Sequence, residues 1–543
     1  MFLFFGARPS VALTALVAGL IGLGDSQVAA VATQKPPPQR RDYTPRDTTA
    51  RYDTPEYIVH SARADAVRQA FQRSWDGYYK YAFPHDSLRP TTNGYLDDRN
   101  GWGATAVDAL STALIMQDTK VVDQILNYIP TIDFDKTDTS VSLFETTIRY
   151  LGGLLSAYDL ITSNVTGKGG DSKRAQAILK QAVHLADNLK VAFDTQSGVP
   201  DNDLWFNPPR KSGSVHNAIA TVGTLVLEWT RLSDITGNPL YGKLAQRAES
   251  YLLSPRPKLG EPFPGLLGTY LKISNGQFVD SSGGWGGGDD SFYEYLIKMY
   301  LYDPSAFADY KRRWILAADS SMKYLVSHPS SRPDLTYLAM WRDSRTLDFV
   351  SQHLACFSGG NFILGGLTLN TPKYTSFGLE LVNSCHNTYT STATHIGPEI
   401  FRWEDSRFPS PSQPVPQNQS DFYAKSGFWI DSAYYVLRPE VIESYYYAYR
   451  ATGDPKYQEW AWDAFRSIQK VCRVGSGYSG VVNVNVKGGM GYTDVQETFW
   501  LAEVLKYLYL IFSEDAEWQV KVGSGKNRFV YNTEAHPVRV RRD

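Results

Sequence analysis

The acids that could break a covalent bond in this chain fall in short stretches, each with a partner at helical spacing. In Phe144-Glu145-Thr146-Thr147-Ile148-Arg149-Tyr150-Leu151-Gly152-Gly153-Leu154-Leu155-Ser156, the residues Phe144, Ile148, Leu151 and Leu155 make an apolar stripe. Glu145, Arg149, Gly152 and Ser156 line up beside it. This suits a carboxylate held in a pocket, and equally a surface ion pair at i and i+4 worth about 0.2–0.5 kcal/mol. In Gly286-Gly287-Gly288-Asp289-Asp290-Ser291-Phe292-Tyr293-Glu294 a glycine loop opens a helix, with Ser291 and Glu294 spaced as a capping box. Arg438-Pro439-Glu440-Val441-Ile442-Glu443 places proline in a first turn and acids at the positive end of a helix. Glu503, inside Phe499-Trp500-Leu501-Ala502-Glu503-Val504-Leu505, lies on a helix that is apolar nearly all round. Burial makes that acid either functional or the partner of a cation such as Lys506. Two carboxylates with pKa values pushed apart by their surroundings are what acid–base catalysis requires. His353 and Cys356 have zinc-like spacing, but no second pair of ligands accompanies them, which argues against a metal there.

Helices must position these groups. Apolar residues recur at three and four spacing over 66–81, 142–160, 221–236, 291–302 and 497–512. Two joints are alike: Thr236-Gly237-Asn238-Pro239-Leu240-Tyr241 and Thr452-Gly453-Asp454-Pro455-Lys456-Tyr457. Glycine ends one helix in the left-handed conformation, Asn or Asp caps the next, and proline suits its first turn. Repeated hairpins of this kind predict a closed ring of paired helices, each burying a face on its neighbours. Carboxylates at the N-termini of ring helices would then share one mouth. The connections at 254–266, 281–288 and 404–427 are long for a helical bundle, as functional loops are. The β-prone runs 481–486 and 529–531 could form hairpins lining or plugging the ring.

With 54 basic against 56 acidic side chains and 43% hydrophobic residues, the chain is neither a polyelectrolyte nor a basic nucleic-acid binder. Aromatic residues at 13% supply faces on which sugar rings stack, as well as ordinary core. The first 24 residues carry the single charge Arg8, and an apolar run from Val11 to Gly24 leads to Ala30-Val31-Ala32. We read 1–32 as a signal peptide, 33–55 as a disordered linker, 56–537 as the folded unit and 538–543 as a tail. The run is short for a membrane anchor, so no stable span is expected once the signal is removed. The sequons at Asn164 and Asn418 agree with the secretory pathway. Of the three cysteines, an oxidising compartment favours one bridge between the nearest pair, Cys356 and Cys385, with three free thiols as the other possibility.

From about Arg63 to Pro537 the sequence resembles the class I α-1,2-mannosidases, glycoside hydrolase family 47. The likeness is carried by Phe144 to Arg149 with Leu151-Gly152-Gly153-Leu154, by Asp290 to Leu296, and by His353-Leu354-Ala355-Cys356-Phe357. It continues in Gly397-Pro398-Glu399, Leu437-Arg438-Pro439-Glu440 with Glu443-Ser444, Ala502 to Tyr509, and Asn532-Thr533-Glu534-Ala535-His536-Pro537.

The resemblance implies an all-α fold, an (αα)7 barrel with small β-hairpins, one of them plugging the barrel. It implies Ca2+ at the pocket floor, with Thr533 as its ligand through carbonyl and hydroxyl oxygens and the remaining positions taken by water and sugar. Glu399, Glu443, Glu503 and Glu534 would hold those waters or the terminal mannose, and Phe499 would stack on its ring. Cys356 and Cys385 match the family's disulfide. Glu145, Asp290, Glu399 and Glu440 match its catalytic acids. Inversion needs an acid and a base roughly 6.5–9.5 Å apart. Glu440 is the favoured base, with Glu145 as acid acting through a water and Asp290 as the competing acid. Glu399 is a further candidate donor, and Arg149, His353 and Arg438 would orient acids and substrate. Gly288 stands where members that remove a single mannose carry arginine, which implies access for more branches and the fungal Golgi or secreted type. The expected function is exo-hydrolysis of terminal α-1,2-mannose from high-mannose N-glycans, by a protein of the secretory pathway, secreted or in the Golgi lumen, that is monomeric. The alternative is a glycan-binding quality-control factor with little hydrolytic activity.

Overall fold

The computed structural model describes residues 55–163, 172–408, 413–523 and 525–541. The segments read as signal peptide and as most of the linker, and the sequon Asn164, lie outside the described residues.

Fourteen long helices among the described residues alternate between two rings. They are α1 (Pro55–Tyr81), α2 (Ala104–Met116), α3 (Thr119–Tyr128), α4 (143–162), α5 (Ser172–Leu189), α6 (219–236) and α7 (Leu240–Leu253). The second half comprises α8 (Asp290–Tyr302), α9 (Ala308–Ser320), α10 (Phe357–Leu369), α11 (Pro372–Thr390), α12 (Glu440–Thr452), α13 (Lys456–Val471) and α14 (500–512). Each even-numbered helix packs on the next, from α2 through α14 and back to α2, while each odd-numbered helix covers an even one from outside. The first helix, α1, covers the last, α14, and this closes an (αα)7 barrel.

The sequence explains which helices go inside. Every residue of α2 is buried, whereas α13 buries Tyr457, Ala461, Ala464, Phe465, Ile468 and Val471 and leaves Glu459, Asp463 and Arg466 outside. The packing of α10 on α11 uses glycine: a Cβ at Gly378 would lie 2.6 Å from the Gly359 carbonyl oxygen. Both predicted joints form. Gly237 and Gly453 take φ of 71° and 65°, and the Asn238 and Asp454 side chains accept hydrogen bonds from the amides of Leu240 and Lys456 at 3.1 and 3.0 Å.

The inner helices start at one end of the barrel, and the connections there form its mouth. One connection is an antiparallel sheet of β1 (Val350–Gln352), β2 (Ile400–Arg402) and β3 (Trp429–Ser432), with Gln352 opposite Ile400 and Ile400 opposite Ser432. A hairpin of β4 (Phe529–Tyr531) and β5 (Pro537–Arg539), with Val530 opposite Val538, packs on α8 and α4 and fills the bore from the chain's C-terminal end. Its Tyr531 ring meets Tyr446 and Tyr507. The run 481–486 forms isolated bridges to Tyr435 and Tyr492 and not a strand.

Candidate active site

Three of the sequence-selected acids open inner helices. Glu145 lies in the first turn of α4, Asp290 begins α8 and Glu440 begins α12, where the positive helix end favours a carboxylate. Ser142 caps α4 by accepting from the Glu145 amide at 3.2 Å. Leu437, buried with φ of 64°, turns the chain sharply into Arg438-Pro439-Glu440.

Two inner helices carry π-helical turns, over Thr147–Leu151 and Trp500–Val504. They hold Arg149 and Glu503. The carbonyls loosened by the wider turns find partners: the Asn532 amide donates to Ile148 at 2.9 Å, and the Thr112 hydroxyl donates to Leu501 at 2.7 Å.

Glu145 and Arg149 are no surface pair. Both are buried, with Arg149 Nε and Nη2 each 2.8 Å from Glu145 Oε2. Arg149 also binds Glu534 in the β4–β5 turn, donates to Thr498 Oγ1 at 3.2 Å, and lies 3.5 Å from buried Asp108. Arg99 approaches Glu145 from the other side at 3.8 Å. Burial works to raise the Glu145 pKa, but Arg149 and Arg99 outweigh it and hold this carboxyl well below the ordinary range.

Asp290 has the opposite surroundings. Burial raises its pKa to about 6, helped by repulsion from Glu294 and Glu440 and opposed by the Ser291 amide, which donates to it at 2.8 Å. The capping box is not formed: Asp289 precedes the helix, and Glu294 turns instead to a buried ion pair with Lys298. That pair satisfies both charges in the interior, which a bond from Glu294 to the helix end would leave undone for Lys298.

Glu440 accepts from His353 Nδ1 at 2.7 Å, while His353 Nε2 faces the Tyr389 hydroxyl at 2.8 Å. His353 thus bridges the Glu440 carboxylate and the Tyr389 hydroxyl. Burial pushes Glu440 up, but His353 and then Arg438 prevail and lower it. Arg438 meets Glu399 in a two-point contact at 2.6 and 2.5 Å and reaches within 4.0 Å of Glu440.

At the floor, burial and mutual repulsion dominate. Glu443 rises to about 8 through burial, Glu294 and Glu440, against Lys298, and accepts from the Tyr507 hydroxyl at 3.2 Å. Glu503 is raised well above its ordinary value by burial, then by Glu534, Glu440 and Glu443. Glu534 is raised by burial and Asp108, against Arg149. Lys506 is not the partner of Glu503; its ammonium donates to Ser111 and to the Ala535 carbonyl, tying α14 to the hairpin. Phe499 is buried under the Arg149 guanidinium at 5.7 Å from ring centre. Thr533, half-buried at the hairpin tip, donates its amide to the Tyr295 hydroxyl at 3.2 Å.

Glu145, Asp290, Glu399, Glu440, Arg149, His353, Arg438, Glu443, Phe499, Glu503 and Glu534 therefore share one set of contacts and fields at the mouth and bore, with Thr533 on the same hairpin as Glu534. Cys356 and Cys385 form a disulfide between α11 and the turn leading into α10, and Cys472 is free and buried. Asn418 is exposed. Arg99, Asp108, Glu294, Lys298 and Thr498 were not foreseen. Only the Glu294–Lys298 spacing could have signalled them, and there the capping reading competed.

A carboxylate kept ionised and one that holds its proton, both opening inner helices of an (αα)7 barrel, suit a glycoside hydrolase. The sequence profile described as Glycosyl hydrolase family 47 matches residues 70–540, and the chain belongs to that family. It is 57% identical over 479 residues to a probable mannosyl-oligosaccharide alpha-1,2-mannosidase 1B of Aspergillus niger, covering 88% of this chain and 92% of the other. It is 55% identical over 484 residues to a mannosyl-oligosaccharide alpha-1,2-mannosidase of Penicillium citrinum, covering 89% and 93%. The solved alpha-1,2-mannosidase from Trichoderma reesei superposes with a TM-score of 0.87 at 53% identity, covering 89% of this chain and 99% of that one.

Proposed function

We propose that this chain removes terminal α-1,2-linked mannose from high-mannose N-glycans, one residue at a time, with inversion at the anomeric carbon. The observation that carries the reading is the opposed bias of Asp290 and Glu440 in one well. Glu440, kept ionised by His353 and Arg438, is the base that takes a proton from the attacking water. The proton for the leaving oxygen comes from the Glu145–Asp290 side of the well. Asp290 keeps its proton to higher pH, whereas two arginines hold Glu145 ionised, which favours Asp290 as the donor. Glu399 has both oxygens engaged by Arg438, so we assign it to holding that arginine and not to proton donation.

Calcium fits the floor. Glu503 accepts no hydrogen bond among the described residues, and Glu534, Glu440 and Glu443 crowd acidic groups around it. No three His, Cys, Asp or Glu side chains among the described residues form a metal cage. A hard ion held by the Thr533 carbonyl and hydroxyl and otherwise by water and sugar oxygens suits that donor set. When bound, the ion supplies positive charge and coordination for sugar hydroxyls. Glu399, Glu443, Glu503 and Glu534 would hold its waters or the mannose, and Phe499 would stack under the ring.

No helix among the described residues is long and apolar enough to cross a membrane. We assign 1–32 to a signal peptide, 33–55 to a linker and the chain from 56 to the catalytic barrel, which runs past the expected boundary at 537 because β5 continues to Arg539 with Val538 buried, in a monomer of the secretory pathway acting in the Golgi lumen or after export. Incubating the purified protein with a nine-mannose oligosaccharide tests the function. Mannose release, first seen as the β-anomer, lost with chelator and lost in Glu440→Gln, is the expected result. Binding without release would favour the quality-control reading, and release of the α-anomer would refute inversion.

A further inference from the structure

The end of the β1–β2–β3 sheet that faces the well carries three neighbouring residues. His353 follows β1, Glu399 precedes β2 and Tyr434 follows β3. Backbone bonds join them in a row: the His353 amide donates to the Glu399 carbonyl at 2.9 Å, and the Glu399 amide donates to the Tyr434 carbonyl at 3.1 Å. The first holds Glu440 and the second holds Arg438. The third has no part in the chemistry above.

Tyr434 differs from its neighbours in depth. Its ring is 39% exposed, while Arg438 and Glu399 are 5% and 6% exposed and Phe499 is 3% exposed. The next residue, Tyr435, is buried, packs on His353 at 5.7 Å and donates to the Arg438 carbonyl at 3.1 Å, so the backbone at 434 is fixed. The Tyr434 carbonyl accepts from the amide of Glu399, whose carboxylate grips Arg438, so an exposed tyrosine adjoins the strand end that carries this ion pair. An open aromatic face on the strand end that also carries His353 and Glu399 offers a sugar a surface to stack on.

We propose that Tyr434 is a substrate-binding residue that stacks on a sugar beyond the disaccharide being cleaved, on the leaving-group side of the glycan. This rests on the mannosidase reading. Its test compares α-1,2-mannobiose, which fills only the cleavage site, with a nine-mannose oligosaccharide. For Tyr434→Ala we expect kcat/KM on the oligosaccharide to fall about tenfold, chiefly through KM, with mannobiose hydrolysis within twofold of the parent. Tyr434→Phe keeps the ring and should stay within twofold on both substrates. Unchanged oligosaccharide kinetics in Tyr434→Ala, an equal loss on both substrates, or a Tyr434→Phe loss matching that of alanine would each overturn the proposal. Equilibrium binding of the same oligosaccharide to Glu440→Gln protein, with and without Tyr434→Ala, separates the two readings. A parent that binds but never releases mannose refutes the mannosidase, while a tenfold weaker Tyr434→Ala complex would still support the contact.

Discussion

Replacing Glu228 by glutamine should stabilise the protein at neutral pH and leave it unchanged in acid. Glu228 is fully buried on α6, where Oε1 accepts from the Tyr295 hydroxyl at 2.6 Å and the Asn532 amide at 2.8 Å. Oε2 has no partner among the described residues, and burial raises the pKa to about 8. An unfolded chain would release this proton near 4.3. A raised carboxyl contributes stability that is complete below the unfolded value and is lost as pH climbs to the folded one, so the window is about 4.3 to about 8. At pH 7 the loss amounts to roughly 3–4 kcal/mol, from about 1.4 kcal/mol for each of about 2.7 pH units. Glutamine keeps both acceptor bonds and removes the titration. The folded unit spans residues 53–543, and its unfolding entropy is on the order of 1 kcal/mol/K. The gain therefore corresponds to a Tm about 3–4 °C above the parent at pH 7 and none at pH 4. Thermal melts of both proteins in chelator across pH 4–8 are the assay. A Glu228→Gln deficit of equal size at every pH would refute the reasoning, since it would show a lost contact and not a lost charge.

Four further outcomes follow from the same geometry. The pH profile of kcat/KM should fall on its alkaline side from about pH 6, as Asp290 loses its proton, and on its acid side below the ordinary carboxylate range, as Glu440 gains one; an alkaline break above pH 8 would count against Asp290. Arg438→Gln leaves Glu399 buried without its cation and should cost about 3–5 kcal/mol in denaturant unfolding, most of it regained in the double variant with Glu399→Gln; full additivity would contradict this. Gly152→Ala would set a Cβ 2.5 Å from the Asn532 amide nitrogen, which two hydrogen bonds hold in place, so a loss of about 1–3 kcal/mol with reduced calcium affinity is expected, measurable by melts and calcium titration. Removing the Cys356–Cys385 bridge reopens a link across 29 residues and should lower stability by about 3.5 kcal/mol in the chain-entropy model, checked by unfolding with and without reductant.

The helical hairpins were legible because their signals are local: periodicity, a left-handed glycine, an Asx cap. The stretches bearing Glu145, Asp290, Glu440 and Glu503 were also legible as places where acids sit oddly, but their fate was not. Glu145–Arg149 reads the same at i and i+4 whether water or protein surrounds it, and only the ring closure decides. Glu294 satisfies a capping pattern and a Lys298 pairing pattern at once, and burial selects the second. Glu503 and Lys506 are three residues apart, yet Lys506 turns to Ser111 and the Ala535 carbonyl and leaves Glu503 among other acids. Asp108, which receives the Thr498 hydroxyl and faces Arg149, sits in a helix with no partner cation at helical spacing to single it out. Thr533 has no signature of its own, and only the family resemblance singled it out.

The division of labour among the three helix-opening acids does not come from the helices. Glu145, Asp290 and Glu440 occupy equivalent first turns, and a helix end contributes about 0.3–1 kcal/mol to each, less than one pKa unit. What separates them is the adjoining chain. Glu145 has Arg149 one turn on and Arg99 from the loop before α2; Glu440 has Arg438 two residues back and His353 from β1. Asp290 follows a run of glycines that brings no cation, and Glu294 and Glu440 repel its charged form. The barrel thus supplies several equivalent seats for a carboxylate, and the side chains entering from its loops decide which seat holds a base and which holds a proton. A cation introduced at Gly288, two residues before Asp290, should accordingly lower that acid and move the alkaline limb of activity toward lower pH. An unmoved limb in Gly288→Arg would mean that burial alone sets Asp290.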